Sequence, residues 1–190
     1  MSFENNMEDT HLISILNGIT NAKRIYRDKA AKDILQNRHL IPELIDKIYD
    51  IDDPMHVKAA WVFELICLED ITLLNPYIHE FISGMSHLNN ESALRPVSKV
   101  CSLWNAYYFS EKTAELKLSE EDIEQVITCN FDWLIEQHKV ATQVFAMDTL
   151  RLWGNREEWI RQELKSVLQK NTDTGSSGYK AHARKLLKNL

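Results

Sequence analysis

The chain has 190 residues, of which 44% are apolar and 26% charged, and its formal net charge is −6. These values exclude a disordered chain and predict one globular domain with a sizeable core. Five glycines and four prolines leave room for few loops, which favours helices over a multi-stranded sheet. No segment reaches the roughly 20 apolar residues that span a bilayer, and the acidic start lacks a secretory core. We therefore expect a cytoplasmic protein.

Prolines and capping residues mark the helix starts in chain order. Pro42 fits the first turn of a helix, and the pairs Asp53-Pro54 and Asn75-Pro76 each combine a capping residue with proline at the first helical position. Pro96 falls in the first turn of a helix or one turn further on. All four prolines therefore predict helix beginnings.

Further along, Ser119 and Asp122 have the spacing of a capping box. No window shows the alternation with period two that predicts a strand. The sequence therefore predicts ten helices and an all-α fold. The expected ranges are 9–18, 21–36, 40–50, 54–70, 75–87, 91–109, 119–136, 138–153, 156–171 and 176–190.

Four of these helices are apolar on most sides, and they recur at intervals of about 40 residues. Their segments begin at Val57, Leu94, Val140 and Tyr179. A narrower amphipathic helix lies between each pair, in YIHEFI, IEQVITCNFDWLI and WIRQELKSVL. In the last of these, one apolar side is predicted to hold Trp159, Ile160, Leu164, Val167 and Leu168.

This alternation resembles HEAT repeats and their relatives, the DNA alkylation repeat proteins. The resemblance implies a short right-handed α-solenoid in which stacked neighbours cover each inner helix from several sides. The resemblance also implies about four helical hairpins in a single domain over residues 1–190. The expected repeats are 20–50, 54–88, 91–136 and 138–171, followed by a capping helix at 176–190.

Charge is distributed unevenly along the chain. Residues 51–150 contain 6 Lys and Arg against 16 Asp and Glu, whereas residues 151–190 contain 9 against 4. The acidic centre repels nucleic acid, while the basic end suits an acidic partner or phosphate. In the basic end, the candidate partner-binding residues are Lys180, Arg184, Lys185 and Lys188, although a polar cap on the stack also explains them.

The cysteines and histidines give no convincing metal site. All three cysteines lie in apolar helical runs, which predicts buried, reduced thiols. His79 and His87 are two helical turns apart, too far to share one zinc, so we expect exposed histidines on helix surfaces. We expect no metal and no cofactor.

One stretch near the end, TGSSGYKAHARK, is similar at Gly175-Ser176-Ser177 to the start of the signature loop of the fumarase and adenylosuccinate lyase superfamily. That loop requires Met, Lys and Asn where this chain has Tyr179, His182 and Arg184. We therefore interpret the stretch as a linker in which Ser176 or Ser177 caps the last helix. We expect no enzymatic activity.

Asp148 and the five tryptophans are the remaining candidates. Asp148 falls within the apolar arc of its helix, which predicts an ion pair with Arg151 or with a basic residue of the last helix, such as Arg184 or Lys180. Most tryptophans are expected in the core, but Trp159 is a candidate partner-binding residue together with Asp148.

The leading functional hypothesis is a non-catalytic scaffold that holds a protein or peptide partner across the narrower helices, which form the concave side in HEAT proteins. A DNA-damage binding protein or glycosylase of the alkylation repeat type is the alternative. A structural part of a larger assembly is a third possibility.

Overall fold

A computed structural model describes residues 11–110, 116–171 and 175–190. Each of the ten predicted helices has a counterpart there, and no strand occurs among the residues described. The prediction of an all-α fold is confirmed. Helix α1 comprises residues 11–17, and the later helices are α2 (Arg24–Gln36), α3 (Ile41–Tyr49), α4 (Met55–Glu69), α5 (Ile78–Gly84), α6 (Glu91–Tyr108), α7 (Glu120–Ile135), α8 (Val140–Gly154), α9 (Glu158–Asn171) and α10 (Ser177–Leu187).

Two of the predicted capping residues form hydrogen bonds at helix starts, although α4 begins at Met55, so Pro54 precedes the helix and does not occupy its first position. The Asp53 carboxylate accepts a hydrogen bond from the Met55 N–H at 2.8 Å, directly before α4. At the start of α7, the Ser119 hydroxyl accepts from the Asp122 N–H at 3.1 Å, and the Asp122 carboxylate accepts from the Ser119 N–H at 3.0 Å. These reciprocal bonds satisfy N–H groups that have no partner inside the helix.

The helix expected over 75–87 is the main exception. It begins earlier, as a 3-10 segment at Ile71–Tyr77, and it ends in a second 3-10 segment at Met85–His87. Asp70, not Asn75, provides the cap, because its carboxylate accepts from the Thr72 N–H at 3.0 Å. Pro76 therefore lies inside the 3-10 segment and does not begin the α-helix.

The chain divides into two compact units at the boundary between Val97 and Ser98. In the first unit, α4 packs against α2, α3 and the 3-10 segment Ile71–Tyr77. Most of the α4 side chains are buried, including Phe63, which contacts Phe81 with 5.8 Å between ring centroids. The strongly apolar α4 is therefore covered by several neighbouring elements.

In the second unit, α8 packs against α7, α9 and α10. Three of the five tryptophans, Trp104, Trp133 and Trp153, are buried in this unit, which confirms the prediction that most tryptophans form core. The indole N–H of Trp153 donates to the Asn105 side-chain oxygen at 2.8 Å. This buried donor is therefore satisfied inside the protein.

All three cysteines are buried, as predicted. Burial raises the pKa of Cys101 to about 11 and that of Cys129 to about 12, and it raises the pKa of Cys67 further still. Within the described part of the chain, no helix is both long and apolar enough to cross a membrane.

Candidate functional site

A groove of about 480 Å³ lies between α7 and α9 in the second unit. Its volume is within the range of binding sites for small molecules. We call it the α7–α9 groove, and its lining residues are Glu120, Ile123, Glu124, Ile127, Thr128, Glu157 and Trp159.

The α7 side of the groove follows from helical spacing. Five lining residues occupy positions 120, 123, 124, 127 and 128, which fall on one face of a helix with 3.6 residues per turn. The core face of α7 carries Val126, Cys129 and Trp133, and the groove-lining Ile127 is also buried, at 6% exposure. Helix α7 therefore has a core stripe and, beside it, a second apolar row in which Ile123 is half-buried and Ile127 is buried.

Trp159 stands at the other side of the groove, in the first turn of α9. Its side chain is 56% exposed, and its ring stacks on Phe131 of α7 with 6.4 Å between centroids and 26° between planes. The prediction that Trp159 shares the packed side of α9 is wrong. The other four residues of that side, Ile160, Leu164, Val167 and Leu168, are buried.

The apolar stripe of α7 continues beyond the groove lining. Phe131 is half-buried under Trp159, and Ile135 at the end of α7 is 59% exposed. From Glu120 to Ile135 the helix rises about 22 Å. An occupant that follows the whole stripe must therefore be an extended molecule, longer than a small ligand.

The groove is acidic as well as apolar. Glu120, Glu124 and Glu157 contribute carboxylates, and no Lys or Arg is among the lining residues that the structure describes. Glu120 also lies in the first turn of α7, where a negative charge is favoured by the helix dipole. The groove therefore favours a cationic occupant over an anionic one.

Two other clefts lie in the first unit, with volumes of about 500 and 460 Å³. The larger mixes Arg24 and Lys32 with Asp28 and Glu69, so its charges offset one another. The smaller is lined mainly by polar groups, where burial and the neighbouring Glu80 raise the pKa of Asp46. Neither cleft combines an exposed aromatic ring with charge of one sign.

The predicted site residue Asp148 takes part in a different contact. Its carboxylate lies 2.8 Å from His182 Nε2, which joins α8 to α10. The sequence predicts Arg151 or a basic residue of α10 as the partner, and the partner is on α10, although it is His182 and not one of the named examples Arg184 and Lys180. Asp148 therefore has a structural partner, and it is not one of the groove residues.

The predicted basic residues lie on α10. Arg184, Lys185 and Lys188 are exposed and Lys180 is half-buried, whereas Tyr179, Ala183 and Leu186 are buried. The expectation that this segment is apolar on most sides is therefore wrong, because α10 has one buried face and one basic face.

The described part of the lyase-like stretch, from Gly175 onward, leads into α10, and Thr174 lies outside the described residues. The Ser176 hydroxyl accepts from the Tyr179 N–H at 3.3 Å, as expected for a cap. Tyr179 itself is buried and packs this turn against the rest of the second unit. The observed role of Ser176 is thus to satisfy the first turn of a helix.

The histidines follow the prediction in part. His11, His39, His79 and His87 are exposed, but His138 and His182 are half-buried and His56 in α4 is buried. Among the residues that the structure describes, no group of three or more His, Cys, Asp or Glu side chains is arranged to hold a metal ion.

No protein-family model matches this chain, and neither do curated proteins or solved structures. Inference about function therefore depends on the geometry and charge of the α7–α9 groove.

The acidic residues of the groove were not singled out from the sequence, although the lack of Lys and Arg in the α7 segment is visible there. A more specific signal was available. Ile123, Ile127, Phe131 and Ile135 recur every four residues, next to the separate core stripe of Val126, Cys129 and Trp133. A helix with two apolar stripes has more apolar surface than one packing face requires, which indicates a second contact.

Proposed function

We propose that this protein is a non-catalytic binding module of the HEAT type, which holds a segment of a partner protein in the α7–α9 groove. The observation that carries the proposal is the exposed indole of Trp159, held in place on Phe131 at the edge of an open groove. The cytoplasm is the compartment that we propose for this activity.

The packing within each unit supports a repeat architecture. Helix α4 is covered by α2, α3 and Ile71–Tyr77, and α8 is covered by α7, α9 and α10. In stacked helical repeats, the inner helix of each pair is covered in this way while the narrower helices keep one face for solvent or a partner. We therefore infer that these units are parts of a short α-solenoid.

Trp159 has the properties of a binding anchor. Tryptophan is enriched among the residues that dominate binding energy, because a large rigid ring covers much area and loses little conformational freedom. Its stacking on Phe131 holds the ring before a partner arrives, which reduces the ordering cost of binding.

The alternative function, DNA binding with or without glycosylase activity, is opposed by the charge of this groove. Binding to nucleic acid depends mainly on Lys and Arg that neutralise phosphates. Glu120, Glu124 and Glu157 would repel phosphates instead. The basic residues of α10 lie outside the groove lining, so they do not supply a basic groove with an exposed tryptophan.

The test is affinity capture of partners from native cytoplasm with three versions of the tagged chain. We expect the wild type to capture at least one protein reproducibly and Trp159→Ala to lose it. Ile25→Ala is the matched control, because Ile25 is also an exposed apolar residue, but lies in the first unit. Capture that is absent, or unaffected by Trp159→Ala, would contradict the proposed function.

A further inference from the structure

We infer that the segment bound in the α7–α9 groove is a basic amphipathic peptide belonging to another protein. Its apolar side chains would cover Trp159, Ile123 and Ile127, and its Lys or Arg side chains would pair with Glu120, Glu124 and Glu157. This inference rests on the proposed function and specifies the chemistry of the partner.

Charge complementarity is the first argument. Three carboxylates border one groove, and no cation is among its described lining residues. A partner with Lys or Arg gains attraction from all three, whereas an acidic partner is repelled by each. The sign of the partner charge is therefore determined more strongly than its shape.

The apolar floor supplies the second argument, because it requires more than a simple cation. Half-buried Ile123 lies between Glu120 and Glu124 along α7, buried Ile127 follows one turn later, and exposed Trp159 lies on the α9 side. A chain of lysines alone would leave Ile123 and Trp159 in contact with water. A peptide that alternates apolar and basic side chains at helical spacing satisfies both kinds of surface.

The length of the stripe is the third argument, since it separates a peptide from a small cationic ligand. The cavity accounts for residues up to Thr128, but Phe131 and the exposed Ile135 extend the apolar surface by two further turns. A peptide helix of about four turns matches the whole stripe of about 22 Å.

A second copy of this chain fits the groove less well. Its basic helix α10 exposes Arg184, Lys185 and Lys188, but its apolar residues Tyr179 and Leu186 are already buried within its own unit. Such a helix offers charge with little apolar surface. The groove therefore favours a foreign segment that brings both.

The experiment is selection of random 16-residue peptides, displayed on phage, against the immobilised full chain, after removal of peptides that bind Trp159→Ala. We expect the enriched sequences to carry two or more Lys or Arg residues flanking Leu, Ile, Phe or Trp. The most enriched peptide is then made with a fluorophore and titrated with the protein at increasing salt. Binding should weaken as salt screens the charges.

Paired double variants test the contacts. Glu124→Lys with Glu157→Lys should weaken binding of that peptide by about tenfold or more, because each change replaces an attraction with a repulsion. The matched control is Glu121→Lys with Glu163→Lys, which makes the same charge change at exposed positions of α7 and α9 outside the groove lining. The control should weaken binding by about threefold at most near physiological salt, where the Debye length is about 8 Å. Circular dichroism checks that both variants remain helical.

Each outcome has a defined meaning. Enriched peptides without Lys or Arg that still depend on Trp159 would overturn the inferred chemistry and leave the proposed function standing. If no peptide is enriched on the wild type relative to Trp159→Ala, both are overturned. Light scattering that shows a dimer lost in the Glu124→Lys, Glu157→Lys variant would assign the groove to a second copy and overturn the inference of a foreign partner.

Discussion

The buried hydrogen bond between Trp153 and Asn105 gives the most direct quantitative prediction about the second unit. The indole N–H lies 2.8 Å from the Asn105 side-chain oxygen, and both side chains are almost fully buried, at 2% and 1% exposure. Asn105→Leu keeps a similar volume but removes the acceptor. The variant therefore leaves a buried donor without a partner, and we expect it to lose about 2 kcal/mol of unfolding free energy.

A second bond of Asn105 should contribute little to that loss. Its side-chain N–H donates to the Cys101 carbonyl oxygen at 2.8 Å, but that carbonyl lies one turn back in α6 and has the helical N–H of residue 105 as a partner. Removing the side-chain donor therefore leaves no buried carbonyl unsatisfied. Most of the expected loss comes from Trp153.

A double-mutant cycle isolates the bond between the two side chains. Trp153→Phe should cost about 3 kcal/mol, from the unpaired Asn105 oxygen and the smaller ring. The double variant contains neither partner, so its loss should be smaller than the sum of the single losses by about 1–2 kcal/mol.

The measurement is urea unfolding followed by circular dichroism at 222 nm, which does not depend on the tryptophan that is removed. As a control, Asn105→Leu is combined with Trp133→Phe, a buried tryptophan in α7, and these losses should add. A coupling energy within about 0.3 kcal/mol of zero for the Asn105–Trp153 pair would refute the role assigned to this bond.

Four other expectations follow from local chemistry. Asp53→Ala should lower the unfolding free energy by about 1 kcal/mol at neutral pH. The Met55 N–H and Lys47 lower the pKa of Asp53 in the folded state. In urea unfolding at several pH values, the difference between wild type and variant should therefore vanish as pH falls through that lowered pKa. Gly84→Ala should cost about 1–3 kcal/mol in the same assay, because an added Cβ would overlap the Tyr49 ring. The three buried thiols should react slowly with a disulfide reagent in the native protein and rapidly in urea, since burial raises the pKa of each. In a gel-shift assay at low salt, alkylated duplex DNA should show no binding, and a separate assay for released base should detect none. Either signal would favour the DNA-handling alternative.

The helices could be predicted because their signals are local. Asp53 reaches the N–H of Met55, and Ser119 reaches Asp122, so a cap depends on residues no more than three positions apart. The periodic apolar pattern is similarly contained within each helix. The predicted start of the helix at residue 75 was wrong because Asp70 provides a cap five residues before Asn75. A 3-10 segment extends the helical region back to Asp70.

Contacts between distant residues were harder to predict from one sequence. Asp148 meets His182 across 34 positions, and Trp153 meets Asn105 across 48. The projection of α8 placed Asp148 in the apolar arc, whereas its side chain is 34% exposed and the buried face of α8 lies elsewhere. Which polar residue of α10 it meets depends on the rotation of that helix against α8. Asn105 gave no signal at all, because a polar residue inside a helix usually points to solvent.

The groove, like the core, contains apolar side chains, but helix packing within the unit does not bury all of them. Helix α8 is covered by α7, α9 and α10, so its apolar residues are accounted for by folding. Helix α7 buries its core stripe and Ile127 but leaves Ile135 exposed, and α9 buries Ile160 and Leu164 while leaving Trp159 outside. Because Trp159, Glu124 and Glu157 are exposed, substitutions at these three positions should change binding with little effect on stability. That separation distinguishes a surface retained for a partner from one that merely packs imperfectly.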